Sequence, residues 1–111
     1  MAEQVTIHHR SWRDDPERVT VFTIVHDNGE TVDFTMPASQ NGGIALAYLK
    51  NMRVMGEAAA AGWLIEEAIG AEAYDALAAE PDVDIDVIKA VAERIQATAL
   101  GEFTGPAVPK A

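Results

Sequence analysis

Residues 43–101 decide the fold of this chain of 111 residues, and they read GIALAYLKNMRVMGEAAAAGWLIEEAIGAEAYDALAAEPDVDIDVIKAVAERIQATALG. Apolar residues recur there at spacings of three and four, the period of a helix that buries one face. Gly56, Gly70 and Pro81 interrupt the pattern, and each interruption indicates the end of a helix. The stretch therefore predicts four consecutive helices.

The four predicted helices cover residues 44–55, 57–69, 72–80 and 84–100. Asp84 is expected to cap the last of them, because a carboxylate accepts hydrogen bonds from the free N–H groups of a first turn. Their apolar faces are expected to form the core: Ala45, Tyr48, Leu49, Met52 and Met55; Ala61, Leu64, Ile65, Ala68 and Ile69; Tyr74 and Leu77; Ile85, Ile88, Val91, Ala92, Ile95 and Ala99.

The residues upstream predict a β-hairpin. In segments 19–26 (VTVFTIVH) and 31–36 (TVDFTM), successive side chains would alternate between the two faces of a strand. Both segments are rich in residue types that favour strands. Asp27-Asn28-Gly29 lies between them, and an Asn-Gly pair is typical of a tight hairpin turn. A lone hairpin is marginal in water, so its apolar face is expected to rest on the helices. Strict alternation places Val19, Val21 and Thr23 on one face of the first strand and Phe22, Ile24 and His26 on the other.

These elements predict an α+β fold, with an N-terminal β-hairpin followed by a small bundle of about four helices. The chain is short enough for one domain, which we place at residues 19–101. Residues 1–18 are polar, and Pro16 would interrupt a helix that begins at Ser11. We therefore expect a flexible N-terminal arm there. Residues 102–111 carry two prolines and a glycine, and we expect a disordered C-terminal tail.

Composition excludes several functional classes. The chain has no cysteine, no apolar run of the roughly 20 residues that a membrane span needs, and no signal-peptide pattern, so we expect a cytoplasmic protein without membrane contact. Net charge is −10, with 7 acidic and 5 basic residues in 1–55 but 11 and 3 in 56–111. Nucleic-acid binding is not expected, because it normally requires a basic stripe. The acidity indicates either solubility alone or a surface for a basic partner.

No residue pattern indicates catalysis or a cofactor. The chain has no nucleophile elbow, phosphate loop or histidine-containing metal helix, so we do not expect an enzyme. Asp82, Asp84, Asp86 and Glu93 match the spacing of a calcium loop, but Val87 replaces its essential glycine. We prefer a carboxylate-rich helix start, which the helix dipole favours. We also prefer surface histidines to a metal site formed by His8-His9, Asp14-Asp15 and His26, and we predict no metal ligand.

Two features favour protein binding. Ala58–Gly62 has almost no side-chain bulk, which lets another backbone approach closely; the neighbour is either one of this protein's own helices or a foreign helix. Met52, Val54, Met55 and Trp63 fall near the junction of the first two helices. Methionine adapts to irregular surfaces and tryptophan anchors interfaces, although both also fill cores.

A longer pattern covers roughly residues 19–101. Thr35-Met36-Pro37 ends the second strand, residues 63–70 (WLIEEAIG) are followed by Glu72-Ala73-Tyr74 and Ala76-Leu77, and Pro81-Asp82-Val83 precedes the last helix. In this order the segments resemble the tail assembly chaperones of long-tailed actinobacterial phages. Thr35 differs from the family, in which an aromatic residue is commoner.

The resemblance implies a chaperone that binds the tape measure protein and keeps it soluble while tail tube subunits polymerise around it. Further partners would be the tail tube protein and a longer form of the chaperone, made by a ribosomal frameshift near codons 108–110. A homo-oligomer formed through the hairpin edge is a further expectation. The protein would act in the cytoplasm of the bacterial host and be absent from the mature virion. The residues expected to bind the partner are Tyr48, Met52, Met55 and Trp63 in an apolar groove, with Glu66, Glu67, Asp75 and Glu80 at its charged rim.

Two alternatives remain open. A structural phage protein, such as a head-tail connector or tail terminator, would stay in the virion. A small acidic regulator that mimics the charge of DNA should place its carboxylates in a long regular row, whereas the acids here are scattered among apolar faces.

Overall fold

The computed structural model describes residues 4–7 and 11–101 and has the predicted α+β fold. An antiparallel two-stranded hairpin precedes four helices. The predicted tail, together with residues 1–3 and 8–10 of the predicted arm, lies outside the described residues. The elements are a short 3-10 helix Trp12–Asp14, β1 Arg18–Val25, β2 Thr31–Pro37, α1 Gly42–Met55, α2 Glu57–Ala68, α3 Ala71–Ala78 and α4 Ile85–Leu100.

The hairpin turn forms at the predicted Asn-Gly pair. The His26 N–H donates to Glu30 O at 2.7 Å, and the Gly29 N–H donates to His26 O at 2.9 Å. Gly29 has a φ of 89°, a conformation that glycine adopts without steric cost. The Asn28 side chain accepts a hydrogen bond from the Glu30 N–H at 2.9 Å. The turn residues therefore set the pairing of the two strands.

A β-bulge at Val21 changes the faces of β1. Val19 pairs with Met36 and Thr20 with Thr35, but the next pair is Phe22 with Phe34. The extra residue brings Phe22 and Ile24 into phase with Val19, so the predicted separation of these residues onto opposite faces is wrong. The rings of Phe22 and Phe34 stack with their centroids 4.8 Å apart. Strict alternation failed because a bulge leaves no clear mark in the sequence.

Helix α2 is the centre of the helical layer and packs against each of the other three helices. Its buried residues are small or branched, and Ala60, Ala61 and Leu64 have no exposed surface. The absence of side-chain bulk at Ala60 and Ala61 allows neighbouring helices to approach closely. At these two positions the small residues therefore serve the protein's own packing.

Side-chain caps fix the starts of two helices. Asp84 accepts from the Val87 N–H at 3.0 Å, which confirms the predicted cap of α4. Asn41 accepts from the Ile44 N–H at 3.1 Å and caps α1. Its own N–H donates to Ala99 O at 2.8 Å, so the segment before α1 is joined to the end of α4. Gly101 ends α4 in the left-handed conformation.

The base of the hairpin rests on the helices, as predicted, whereas its tip does not. Met36 is completely buried, and Val21 is buried beside it in the core. Arg94 of α4 donates from Nε to Thr20 O at 2.8 Å. Near the turn, Val25 and Val32 are 67% and 41% exposed. The apolar side chains of the hairpin are therefore more accessible near its tip than at its base.

Residues 11–17 of the predicted arm contact the domain. Trp12 Nε1 donates to Ser39 O at 3.0 Å, and the Ser39 N–H donates to Asp15 Oδ2 at 3.2 Å. The Ala38 N–H donates to Glu17 O at 2.9 Å, which continues the pairing beyond the strands. This N-terminal segment, residues 11–17, forms part of the surface that surrounds the start of α1.

Several residues predicted for the core are exposed. Leu49, Met55, Tyr74 and Ile85 keep between 43% and 47% of their surface accessible. Helix α3 buries Ala73 and Leu77, so the prediction that Tyr74 is buried is wrong. Each of the four belongs to the predicted apolar face of its helix, but the fold supplies no further layer to cover that part of the face. The exposed apolar surface is relevant to binding.

Candidate functional site: grooves between the helices

Five of the eight predicted binding residues line three different grooves. Tyr48 and Met52 line a groove between α1 and α4, and Trp63 and Glu67 line a second groove beside the N-terminal segment. Glu80 lines a third groove, between α2, α3 and α4. Met55, Glu66 and Asp75 are exposed and lie outside these grooves.

The α1–α4 groove has a volume of about 290 Å³ and is partly polar. Burial raises the pKa of the Tyr48 phenol above its ordinary value, and the nearby charges of Glu57 and Glu93 raise it further. Gln96 Nε2 donates to Ala45 O at 3.1 Å, while Gln96 Oε1 is buried without a hydrogen-bond partner. Met52 is half-buried here. This groove holds the first two predicted residues, and Leu49, which is 43% exposed, adds apolar surface to it.

The groove beside the N-terminal segment has a volume of about 460 Å³. Trp12 and Arg13 form one wall, and Trp63 and Ile44 lie on the helical side. Arg13 and Glu67 are joined by an ion pair at 3.4 Å between exposed atoms, a geometry that contributes little to stability. Trp63 and Met52 thus line different grooves. Helix α1 separates the two, because Ile44 and Ala47 line the groove with Trp63 whereas Met52 lines the other.

The third groove, which we call the three-helix groove, has a volume of about 380 Å³ and a mainly apolar lining. Leu77 and Ile65 are buried in it, whereas Tyr74 and Ile85 are 44% and 47% exposed. Gly62 lies against the Tyr74 ring, where a Cβ atom would be 3.0 Å from Cε2. The lining consists of Ala58, Gly62, Ile65, Tyr74, Leu77, Ala78, Glu80, Val83, Asp84, Ile85 and Ile88.

The charges at the three-helix groove are negative. Glu80 and Asp84 belong to its lining, which contains no basic side chain. Lys89, on the following turn of α4, forms an ion pair with Glu57 at 2.9 Å. The hydrogen bond to Glu57 is also the main cause that raises the pKa of Lys89. The groove therefore combines an apolar floor with an acidic rim.

Helical spacing predicted that Tyr74 and Ile85 are core residues, and most of this groove was therefore not predicted. One signal was present: Gly62 interrupts a run of good helix formers, and an isolated glycine in a helix often marks a close contact. The identity of that contact depends on how α3 crosses α2. Only Glu80, among the predicted binding residues, lies in the groove lining.

The described residues offer no metal site, because none of their groups of histidine, aspartate and glutamate includes three side chains close enough to hold an ion. Asp84, which belongs to the calcium-like spacing, caps α4 instead. His8 and His9 lie outside the described residues. Across 4–7 and 11–101, no helix has both the length and the apolar character to cross a bilayer.

Comparison of the chain with models of protein families, with curated proteins and with solved structures gives no match.

Proposed function

We propose that this protein is a phage tail assembly chaperone, which binds the tape measure protein and keeps it soluble during assembly of the tail tube. The observation that carries the proposal is the three-helix groove, an open apolar groove with an acidic rim. The sequence resemblance points in the same direction. The protein would act by binding alone, without catalysis or a cofactor.

The size of the exposed apolar surface is suited to reversible capture. Tyr74 and Ile85 each keep nearly half of their surface accessible. Covering the remainder of one such side chain contributes about 1 kcal/mol, roughly half the value for complete burial. A groove with a few side chains of this kind binds an apolar stripe without holding it permanently. A chaperone must release its client when the tube subunits arrive.

The charge distribution supplies solubility to the complex. Residues 56–101 contain ten acidic and two basic side chains. A client whose apolar stripe is covered by such a surface acquires the negative charge of the chaperone, and like charges keep complexes apart. In this proposal the complex forms in the cytoplasm of the bacterial host, and the chaperone is absent from the finished virion.

Other contacts belong to the same proposal. The tail tube protein and a frameshifted longer form of this chain are the further expected partners. Self-association would use the hairpin, whose tip exposes Val25 and Val32 beside unpaired strand edges.

Co-expression with the phage tape measure protein tests the proposal. We expect the tape measure protein to remain in the supernatant with this chain and to pellet without it, and the two proteins to copurify. A second measurement separates the rival class. Mass spectrometry of purified virions should detect no copy of a chaperone, whereas a connector or tail terminator would be present in every particle. Failure of co-expression to change solubility, together with detection in virions, would replace the proposal by the structural class.

A further inference from the structure

We propose that the three-helix groove binds one helix of its partner, and that this helix carries an apolar stripe flanked by lysine or arginine side chains. The inference rests on the proposed function for the identity of the partner protein. The lining and charge of the groove alone indicate the chemistry of the segment that it binds.

The floor of the groove requires apolar side chains from the partner. Leu77 and Ile65 are buried at its base, and Ile88 is half-buried beside them. Tyr74 of α3 and Ile85 of α4 also line the groove, each with about half of its surface accessible. Polar groups placed on this floor would lose water without gaining a hydrogen-bond partner. An apolar stripe has no hydrogen bonds to water to lose, and it would cover both exposed side chains.

The walls of the groove favour a helix over an extended segment. The lining residues belong to α2, α3, α4 and the turn before α4, and the groove has no strand edge. An extended peptide would leave main-chain N–H and C=O groups without partners there, whereas a helix satisfies its own. Ala58 is exposed on α2 one turn before Gly62, and its small side chain forms a low wall beside the Tyr74 ring that covers Gly62.

The rim determines the charge of the partner. Glu80 and Asp84 line the groove, Asp82 lies between them in the chain, and no basic residue is in the lining. Lysine or arginine beside the stripe would pair with these carboxylates and speed the encounter. The same charges argue against a second copy of this chain as the occupant, because that copy brings a net charge of −10 to an acidic rim.

Binding of designed peptides to the full chain tests the inference. The main probe is a helical peptide of about 20 residues with leucine on one face and lysine elsewhere. A second peptide has the same composition with the leucines distributed around the helix, and a third has glutamate in place of lysine. Calorimetry measures the affinity, and NMR shift changes locate the site. We expect the first peptide to bind at α2, α3 and α4, and the other two to bind at least about tenfold more weakly.

Surface variants provide the matched comparison. Ile85→Asp places a charge in the lining of the groove from α4, and Tyr74→Asp does so from α3; both residues are already half-exposed. Val54→Asp is the control, because Val54 is 70% exposed on α1 and lies outside the groove. We expect Ile85→Asp and Tyr74→Asp each to weaken binding of the leucine-lysine peptide at least about tenfold, and Val54→Asp to leave it unchanged. Thermal melts and NMR spectra verify that each variant is folded.

Equal binding of the first two peptides would reduce the interaction to charge alone and overturn the inference, as would equal effects of Ile85→Asp and Val54→Asp. A concentration-dependent dimer that Ile85→Asp abolishes would identify a second copy as the occupant, which also overturns it. The proposed function is tested separately. If the Ile85→Asp variant keeps the tape measure protein as soluble as the wild type does, the inference is overturned but the proposed function stands. If the peptide binds in the groove but the tape measure protein is not kept soluble, the inference stands and the proposed function is overturned.

Discussion

Gly62 on α2 lies directly against the ring of Tyr74 on α3, so closely that a Cβ atom on Gly62 would be 3.0 Å from Tyr74 Cε2. The contact allows the ring to cover one wall of the three-helix groove while 44% of the tyrosine stays accessible. A side chain at position 62 would change both the stability of α2 and the shape of the groove.

Gly62→Ala is expected to stabilise the protein by about 0.5–1 kcal/mol, because alanine is the better helix former by roughly this amount. The half-exposed Tyr74 ring has room to move by the few tenths of an ångström that the new methyl group requires. Chemical denaturation monitored by circular dichroism measures the change. The control is Ala59→Gly on the exposed part of the same helix, which should destabilise by about 1 kcal/mol. A loss of stability in Gly62→Ala would mean that the ring is held rigidly.

Trp12→Ala is expected to lower the free energy of unfolding by about 2 kcal/mol. The change removes the hydrogen bond from Nε1 to Ser39 O and the packing of a half-buried ring. Trp12→Phe keeps most of the packing and should cost about 1 kcal/mol. Urea unfolding measures both, and Ser11→Ala at the exposed neighbouring position serves as the control. Unchanged stability in Trp12→Ala would show that the N-terminal segment does not dock in solution.

Asp84→Ala is expected to cost about 1 kcal/mol, because the first turn of α4 loses its side-chain cap. Asp84→Asn should retain most of the stability, since its side-chain oxygen accepts the same hydrogen bond from Val87. The comparison variant is Asp86→Ala, which removes a carboxylate from the first turn without removing the cap and should cost only a few tenths of a kcal/mol. Thermal unfolding ranks the three variants, and equal losses at positions 84 and 86 would contradict the capping geometry.

Arg94→Met is expected to loosen the hairpin and to cost about 1 kcal/mol. Methionine keeps the apolar stem but removes the Nε donor to Thr20 O, which ties α4 to β1. Hydrogen exchange of the β1 amides should accelerate. Arg53→Met makes the same chemical change at an exposed site on α1 and should alter stability by less than about 0.5 kcal/mol. Equal hydrogen-exchange rates of the hairpin amides in the two variants would show that the Arg94–Thr20 hydrogen bond does not stabilise the hairpin.

Stability is expected to fall in alkaline solution because of Tyr48. Its pKa in the folded protein lies above the ordinary value of 10.0, so the folded state favours the neutral phenol. The stability that the neutral phenol contributes is fully present below about pH 10. It is lost as the pH rises through the raised pKa of the folded state. The difference in unfolding free energy between the wild type and Tyr48→Phe should therefore change above pH 10.

Phenolate absorbance provides the direct measurement. The chain has two tyrosines, so Tyr74→Phe leaves Tyr48 as the only phenol. We expect its titration midpoint above the ordinary value, and a midpoint at or below 10.0 would contradict the burial of the ring. Glu93→Gln should then lower the midpoint slightly, because one of the nearby negative charges is removed.

The candidate site was less predictable than the elements that carry it. Helical spacing placed Tyr74 and Ile85 on apolar faces, but spacing describes only which side of a helix is apolar. Whether that side is covered depends on the neighbouring elements, and here both residues remain half-exposed around one groove. Met52 and Trp63 illustrate the reverse error, since residues close in sequence to one helix junction line different grooves.

The sequence by itself determined the elements of this protein. The apolar period, the glycine and proline interruptions, the Asn-Gly turn and the Asp84 cap can each be recognised within a few residues of sequence. They reflect which face of a helix is apolar and which backbone conformations the local residues favour. Only the tertiary structure decided the bulge at Val21, the docking of Trp12 and the opening of the three-helix groove. These features depend on contacts between residues far apart in the chain, whose free energies are set by packing and burial rather than by local sequence.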